Sequence, residues 1–176
     1  VRTPSMRIAL VHMRHAHSGG AERYLNLISS HLVASGHQVV ILCRSHASPP
    51  PSGIEIVKLR PISIGASARM WNFAMAVEEH VKSVQYDLVY ALGKTWSHDV
   101  IRLGGGCHQT YLKSAHAATC SPLARAIGVG GRKHRMALEI EQRALSPGAF
   151  KHVITNSEMT KRDVISTHGI PADKIR

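Results

Sequence analysis

A chain of 176 residues, 44% of them apolar, supports one sizeable hydrophobic core and is too short for two ordinary domains. With 22 Lys and Arg against 11 Asp and Glu the net charge is +11 before any of the 13 His is counted. Only 19% of residues are charged, which excludes the low-hydrophobicity, high-charge pattern of a disordered chain.

The predicted elements follow in chain order. Residues 1–5 precede the apolar run that starts at Met6 and read as an extension. Residues 7–11 (RIALV) predict a strand buried on both faces, followed by a polar loop over 12–20. After Gly19 and Gly20, apolar residues recur at Ala21, Tyr24, Leu25, Ile28 and Leu32, the rhythm of a helix with one face on a core. Gly36 ends it. Residues 39–43 predict a second buried strand, the proline-rich 49–53 a loop, and 54–59 a further strand. Met70, Phe73, Ala74, Val77, Val81 and Val84 form the stripe of a second helix. Strands are expected at 87–92 and 99–103, the latter running into Gly104, Gly105 and Gly106. Residues 124–145 have helical composition, but Gly128, Gly130 and Gly131 interrupt the start, so the helix is expected from Arg132. Residues 151–155 predict a strand. The last helix starts at Asn156 or Ser157, or with Thr155 and Glu158 as a capping box, and stops at Gly169.

Short apolar strands alternating with helices predict an α/β fold, a doubly wound and mainly parallel sheet with helices on both faces. Ligands of such sheets bind at the carboxyl ends of the strands, which directs attention to the loops 12–20, 92–97, 104–108 and 156–158.

In the first loop a glycine pair before a helix lets the main chain approach a ligand, and the free N–H groups of the helix start suit phosphate. A tight turn accounts equally well for the pair, and neither a GxGxxG nor a P-loop pattern is present. In the third, the glycine run leaves room beside the strand, and His108 can hydrogen-bond hydroxyls. Cys107 as nucleophile with His108 as base is disfavoured, because neighbours in an extended stretch point opposite ways. Cys43, Cys107 and Cys120 have no CxxC spacing, and His12, His15 and His17 match no zinc pattern, so neither a disulfide framework nor a metal is expected. A reducing cytoplasm suits these cysteines. No apolar run approaches the ~20 residues of a membrane span.

The charge is unevenly spread. No acidic residue lies between Asp99 and Glu139, a stretch holding Arg102, Lys113, Arg125, Arg132, Lys133 and Arg135. Lys94, Arg102, Lys113, Arg132, Lys133 and Arg135 are the candidate contacts for a phosphorylated acceptor or an anionic membrane surface. Nucleic acid is not expected, since aromatic residues are few and no nucleic-acid motif is present.

The opening MRIALVHMRHAHSGGAERYLNLISSHLVASGHQVVILCRS resembles the start of retaining glycosyltransferases of family 4, and VITNSEMTKRDVISTHGIPADKI resembles the last strand and helix of their N-terminal domain. SHDVIRLGGGCHQTYL is similar to lipopolysaccharide core glucosyltransferases of that family. The resemblance implies a Rossmann-like domain, one half of a GT-B enzyme, that moves a sugar from a nucleotide-sugar donor to a glycan or glycolipid acceptor without an obligatory metal. It further implies that Gly19, Gly20 and Glu22 form the loop facing the donor phosphates, that His108 touches the donor sugar, and that Asn156 and Ser157 begin the crevice-facing helix. The family's basic pair and E-x7-E motif lie in a second, donor-binding domain that is expected beyond Arg176, so the fragment alone is expected to be inactive. A GT-B-like nucleotide-sugar epimerase and a non-catalytic basic module are the alternatives.

Overall fold

The computed structural model describes residues 4–15, 19–47, 52–93, 95–118 and 131–176. The main sheet has six strands, β1 (Arg7–Val11), β3 (Gln38–Cys43), β5 (Ile54–Lys58), β6 (Leu88–Ala91), β7 (Val100–Leu103) and β8 (His152–Thr155). Their spatial order is β5-β3-β1-β6-β7-β8, and every pairing is parallel. Ile8 of β1 pairs Val39 on one side and Leu88 on the other.

Alternation along β1 divides the core. Ile8 and Leu10 pack with Leu25 of α1 (Gly20–Ala34) on one face, while Ala9 and Val11 join Phe73 and Val77 of α2 (Gly65–Ser83) on the other. Both faces are covered, which is why the strands read as continuous apolar runs rather than as alternating ones. Among the described residues the other α-helices are α3 (His108–Ala118), α4 (Arg132–Ala144) and α5 (Glu158–His168).

The expected strands are present, and α4 begins at Arg132 as its glycine-rich approach implies. Gly36 and Gly169 follow α1 and α5 with φ of +89° and +64°, the left-handed conformation that suits glycine at a helix end. Three features differ from the sequence reading. The span 108–111, expected as loop, is the first turn of α3, so His108 opens a helix instead of ending an extended stretch. The loop after β1 contains β2 (Arg14–His15), which pairs with β4 (Ser45–His46) in a small second sheet. Of the possible starts for α5, Ser157 is the N-cap: its Oγ accepts the Thr160 N–H at 3.2 Å, so the Thr155 capping box is not formed.

Strand order reverses between β1 and β6. At such a switch point neighbouring connections leave on opposite faces, and a crevice opens at the carboxyl ends.

Candidate functional site

A cleft of about 710 Å³ occupies that position. One wall is the start of α1, with Gly20 and Ala21. The floor is β7 and Gly104–Gly106, and the opposite wall is built from α3 and α4, with Asn156 at the rim.

Gly19 is the N-cap of α1, with φ +106°. A Cβ there would run into the Glu22 carboxylate, which folds back over the helix start and lies 4.0 Å from His12 Nε2. Glu22 therefore complements the positive end of α1 and, among the described residues, is not part of the cleft lining. A Cβ on Gly20 would meet nothing within 4 Å, so the space in front of its main chain is open.

Arg102 also lines the cleft. Its guanidinium lies 4.2 Å from the Tyr24 ring centroid, and the Tyr24 hydroxyl is 2.9 Å from that of Tyr90. Tyr24 thus carries Arg102 by a cation–π contact, and the guanidinium passes where a side chain at Gly104 would stand. Asn156 Nδ2 donates to the Gly104 carbonyl at 2.8 Å and holds the glycine run against the rim. Ser157 caps its helix and does not reach the cleft.

His108 stands at the first position of α3. Its N–H is shared between the Glu141 oxygens at 2.8 and 3.0 Å, and the neighbouring Cys107 N–H donates to Asp163 Oδ2 at 2.9 Å. Thr110 Oγ1 donates to the other Asp163 oxygen. Two carboxylates, from α4 and α5, therefore satisfy the start of α3, where unpaired N–H groups and the helix dipole favour negative charge. The His108 ring stacks on Tyr111, with centroids 5.6 Å apart, and lies side by side with His134, whose ring centroid is 5.2 Å away and whose Nδ1 shares a hydrogen bond with His108 Nε2 at 3.1 Å. The stack on Tyr111 and the hydrogen bond to His134 fix the imidazole where it lines the cleft.

Cys107 is buried. Burial, with the Asp163 and Glu141 carboxylates beside it, pushes its thiol up to about 12. At neutral pH it is a protonated thiol, which disposes of a thiolate nucleophile. Burial raises the Asp163 carboxyl, but hydrogen bonds from Thr110, Cys107 and Thr167 outweigh it and leave the group below its ordinary value.

Of the expected basic contacts, Arg102 and Lys133 reach the cleft, Lys113 lies on the outer side of α3, and Arg132 and Arg135 are exposed at the start of α4. Lys94, Arg125 and His17 lie outside the described residues. The acid-free stretch between Asp99 and Glu139 is not acid-free in space, because Glu141 and Asp163 fold beneath it. Glu141 escaped the sequence reading, although it falls among Ala137, Ile140 and Ala144 on the buried stripe of α4. A carboxylate in an apolar register needs a partner, and that was the available signal.

The profile of Glycosyltransferase Family 4 matches residues 18–176. No match is found among curated proteins. Among solved structures, the chain superposes on WaaG, described as a glycosyltransferase involved in lipopolysaccharide biosynthesis, with a TM-score of 0.81 at 19% identity, covering 96% of this chain and 44% of that one. Sucrose-phosphate synthase from Thermosynechococcus elongatus gives 0.63 at 14% identity, covering 97% and 47%. Phytolacca americana UGT2, solved with UDP-2fluoro-glucose and pterostilbene, gives 0.54 at 10% identity, covering 94% and 50%. At these identities the likeness concerns the fold, and the chain spans half or less of the length of each of these structures. The parallel sheet, the cleft at its switch point and the profile match together place the chain in glycosyltransferase family 4, as a Rossmann-like domain with the fold of the N-terminal half of GT-B enzymes.

Proposed function

We propose that this chain is the acceptor-side domain of a retaining glycosyltransferase that moves a hexosyl group from a nucleotide-sugar donor to a phosphorylated glycan or glycolipid of the cell envelope. The observation that carries the reading is the cleft itself. An open main-chain approach at Gly20, a stacked imidazole at His108 and two cations, Arg102 and Lys133, converge at the switch point. The N–H groups at the start of α1 face the donor diphosphate, and His108 hydrogen-bonds a hydroxyl of the sugar. Arg102 and Lys133 take the anionic group of the acceptor. The bond from the anomeric carbon to the nucleoside diphosphate breaks as the acceptor oxygen bonds that carbon, the acceptor's hydroxyl proton passes to the departing diphosphate, and no metal takes part. The UDP-sugar in the Phytolacca structure and the biosynthetic role of WaaG are in keeping with this assignment. Turnover requires a second, donor-binding domain.

The protein acts at the inner membrane face as a peripheral enzyme. No helix among the described residues is long and apolar enough to cross a membrane. Ile62 and Ile64 are 95% and 93% exposed in the segment after β5, and Arg44 Nη1 and Asn72 Nδ2 hold its main chain by donating to the Pro61 and Ile62 carbonyls. Apolar side chains held outward beside basic ones suit an anionic lipid surface.

The test is turnover of the enzyme carrying both domains against a panel of nucleotide sugars and phosphorylated glycolipids, with the anomeric configuration of the product read by NMR. Retained configuration is expected. Inversion, or epimerisation of the nucleotide sugar without an acceptor, overturns the reading.

A further inference from the structure

We infer that Cys107, Glu141 and His168 form a structural site for a divalent metal ion of the zinc type, beneath the cleft and apart from the transfer chemistry. The Cys107 Sγ, a Glu141 carboxylate oxygen and a His168 ring nitrogen lie within 4.8 Å of one another. They come from three elements, the turn before α3, α4 and the end of α5. Cys107 is fully buried and Glu141 is 5% exposed. His168 Nε2 lies 3.4 Å from Glu141 Oε1 and, among the described residues, is buried with no hydrogen-bond partner. A ring nitrogen so placed calls for either a proton shared with the carboxylate or an ion.

The donor set selects the ion. A thiolate, an imidazole and a carboxylate suit Zn²⁺, whereas Mg²⁺ and Ca²⁺ require oxygen. One thiolate and one carboxylate offset the charge of a divalent cation while the imidazole stays neutral, and the Asp163 carboxylate beside Cys107 adds to the negative surroundings. On binding, the sulfur–metal bond replaces the S–H bond and the proton leaves to solvent. Bond lengths of about 2.0–2.3 Å put tetrahedral donors about 3.4 Å apart, so side-chain shifts of about 1 Å bring the three ligands onto one ion.

Two of the ligands are already oriented. The His108 N–H holds Glu141, and Asp163 holds the main chain of Cys107. Cys107 and Glu141 border the cleft, which supplies a path of entry. A bound ion ties the start of α3 to α4 and α5, and so fixes the position from which His108 projects.

The purified chain, reduced and stripped by a chelator, is titrated with Co²⁺ and followed by absorbance, a measurement that needs no turnover. One equivalent is expected, with a thiolate-to-cobalt band in the near ultraviolet and the visible bands of a tetrahedral site, all displaced by Zn²⁺. Cys107→Ser should abolish the near-ultraviolet band, His168→Gln should weaken binding at least tenfold, and Cys43→Ser, in the opposite face of the core, should leave the band in place. Absence of a thiolate band, its persistence in Cys107→Ser, or equal affinity in His168→Gln overturns the site and leaves a His168–Glu141 ion pair in its place. Should Cys107→Ser fail to fold, unfolding midpoints decide. Zn²⁺ should raise the parent's midpoint and leave that of His168→Gln unmoved, and no rise in the parent overturns the proposal.

Discussion

Gly19 and Gly20 are neighbours under opposite constraints. Gly19 is glycine for its own main chain, with φ +106° and the Glu22 carboxylate against the space a Cβ would take. Gly19→Ala should cost about 1–2 kcal/mol, read as a lower denaturation midpoint. Gly20 has no such demand, since nothing in the chain lies within 4 Å of an added Cβ. On the function proposed above, Gly20→Val in an enzyme carrying both domains should leave the circular dichroism unchanged and lower turnover by about tenfold or more, because the branched side chain would fill the open space in front of the main chain where the donor phosphate is proposed to bind. Unchanged kinetics would return Gly20 to an ordinary helix start.

At the scale of elements, α3 and α4 begin with opposite electrostatics. The start of α3 rests on Glu141 and Asp163, the charge sign that a helix N-terminus favours. The first turn of α4 carries Arg132, Lys133 and Arg135 and no acid. Three cations against the positive end of a dipole reduce stability, a cost that fits a surface shaped for an anionic partner. Reversing the three to Glu should raise the unfolding free energy by about 0.3–1 kcal/mol per charge while weakening sedimentation with anionic vesicles. Gain of stability without loss of vesicle binding would leave the patch a solvated surface. In α5, Ser157→Ala should cost about 1 kcal/mol by removing the acceptor of the Thr160 N–H. Helix boundaries were legible from periodicity and glycine placement where the stripes are long, as in α1 and α4. The short α3 was not, because its first turn is satisfied by carboxylates from distant elements.

For the whole molecule, pH is the natural variable. Burial lowers His98 from 6.5 to about 4, offset in part by the main chain of Ala144 and by Asp99. Between those values the unfolded chain takes up a proton that the folded one refuses. Stability is therefore full above pH 6.5 and declines as the pH falls toward 4, by about 3 kcal/mol at most. Below that, loss continues as two depressed carboxyls protonate. Glu78, held down by hydrogen bonds from Lys82 and Trp96, links α2 to α4 through Arg143, and Asp163 holds the start of α3. Denaturation midpoints across pH 4–7 should show this decline, and His98→Gln should flatten it. A parent profile flat over that range would place His98 in contact with solvent.

The sequence by itself determined the main sheet and the helices other than α3, because parallel strands buried on both faces and one-sided helices write their burial into local periodicity. The glycine pair, the glycine run and His108 were legible for the same reason, each lying at a strand's carboxyl end where the fold class puts a ligand. Only the tertiary structure decided what surrounds them. Tyr24 beneath Arg102, Glu141 and Asp163 at the start of α3, and Cys107 with Glu141 and His168 are pairings between separate elements. Such contacts depend on helix packing and strand order, and the spacing of residues along the chain carries no record of them.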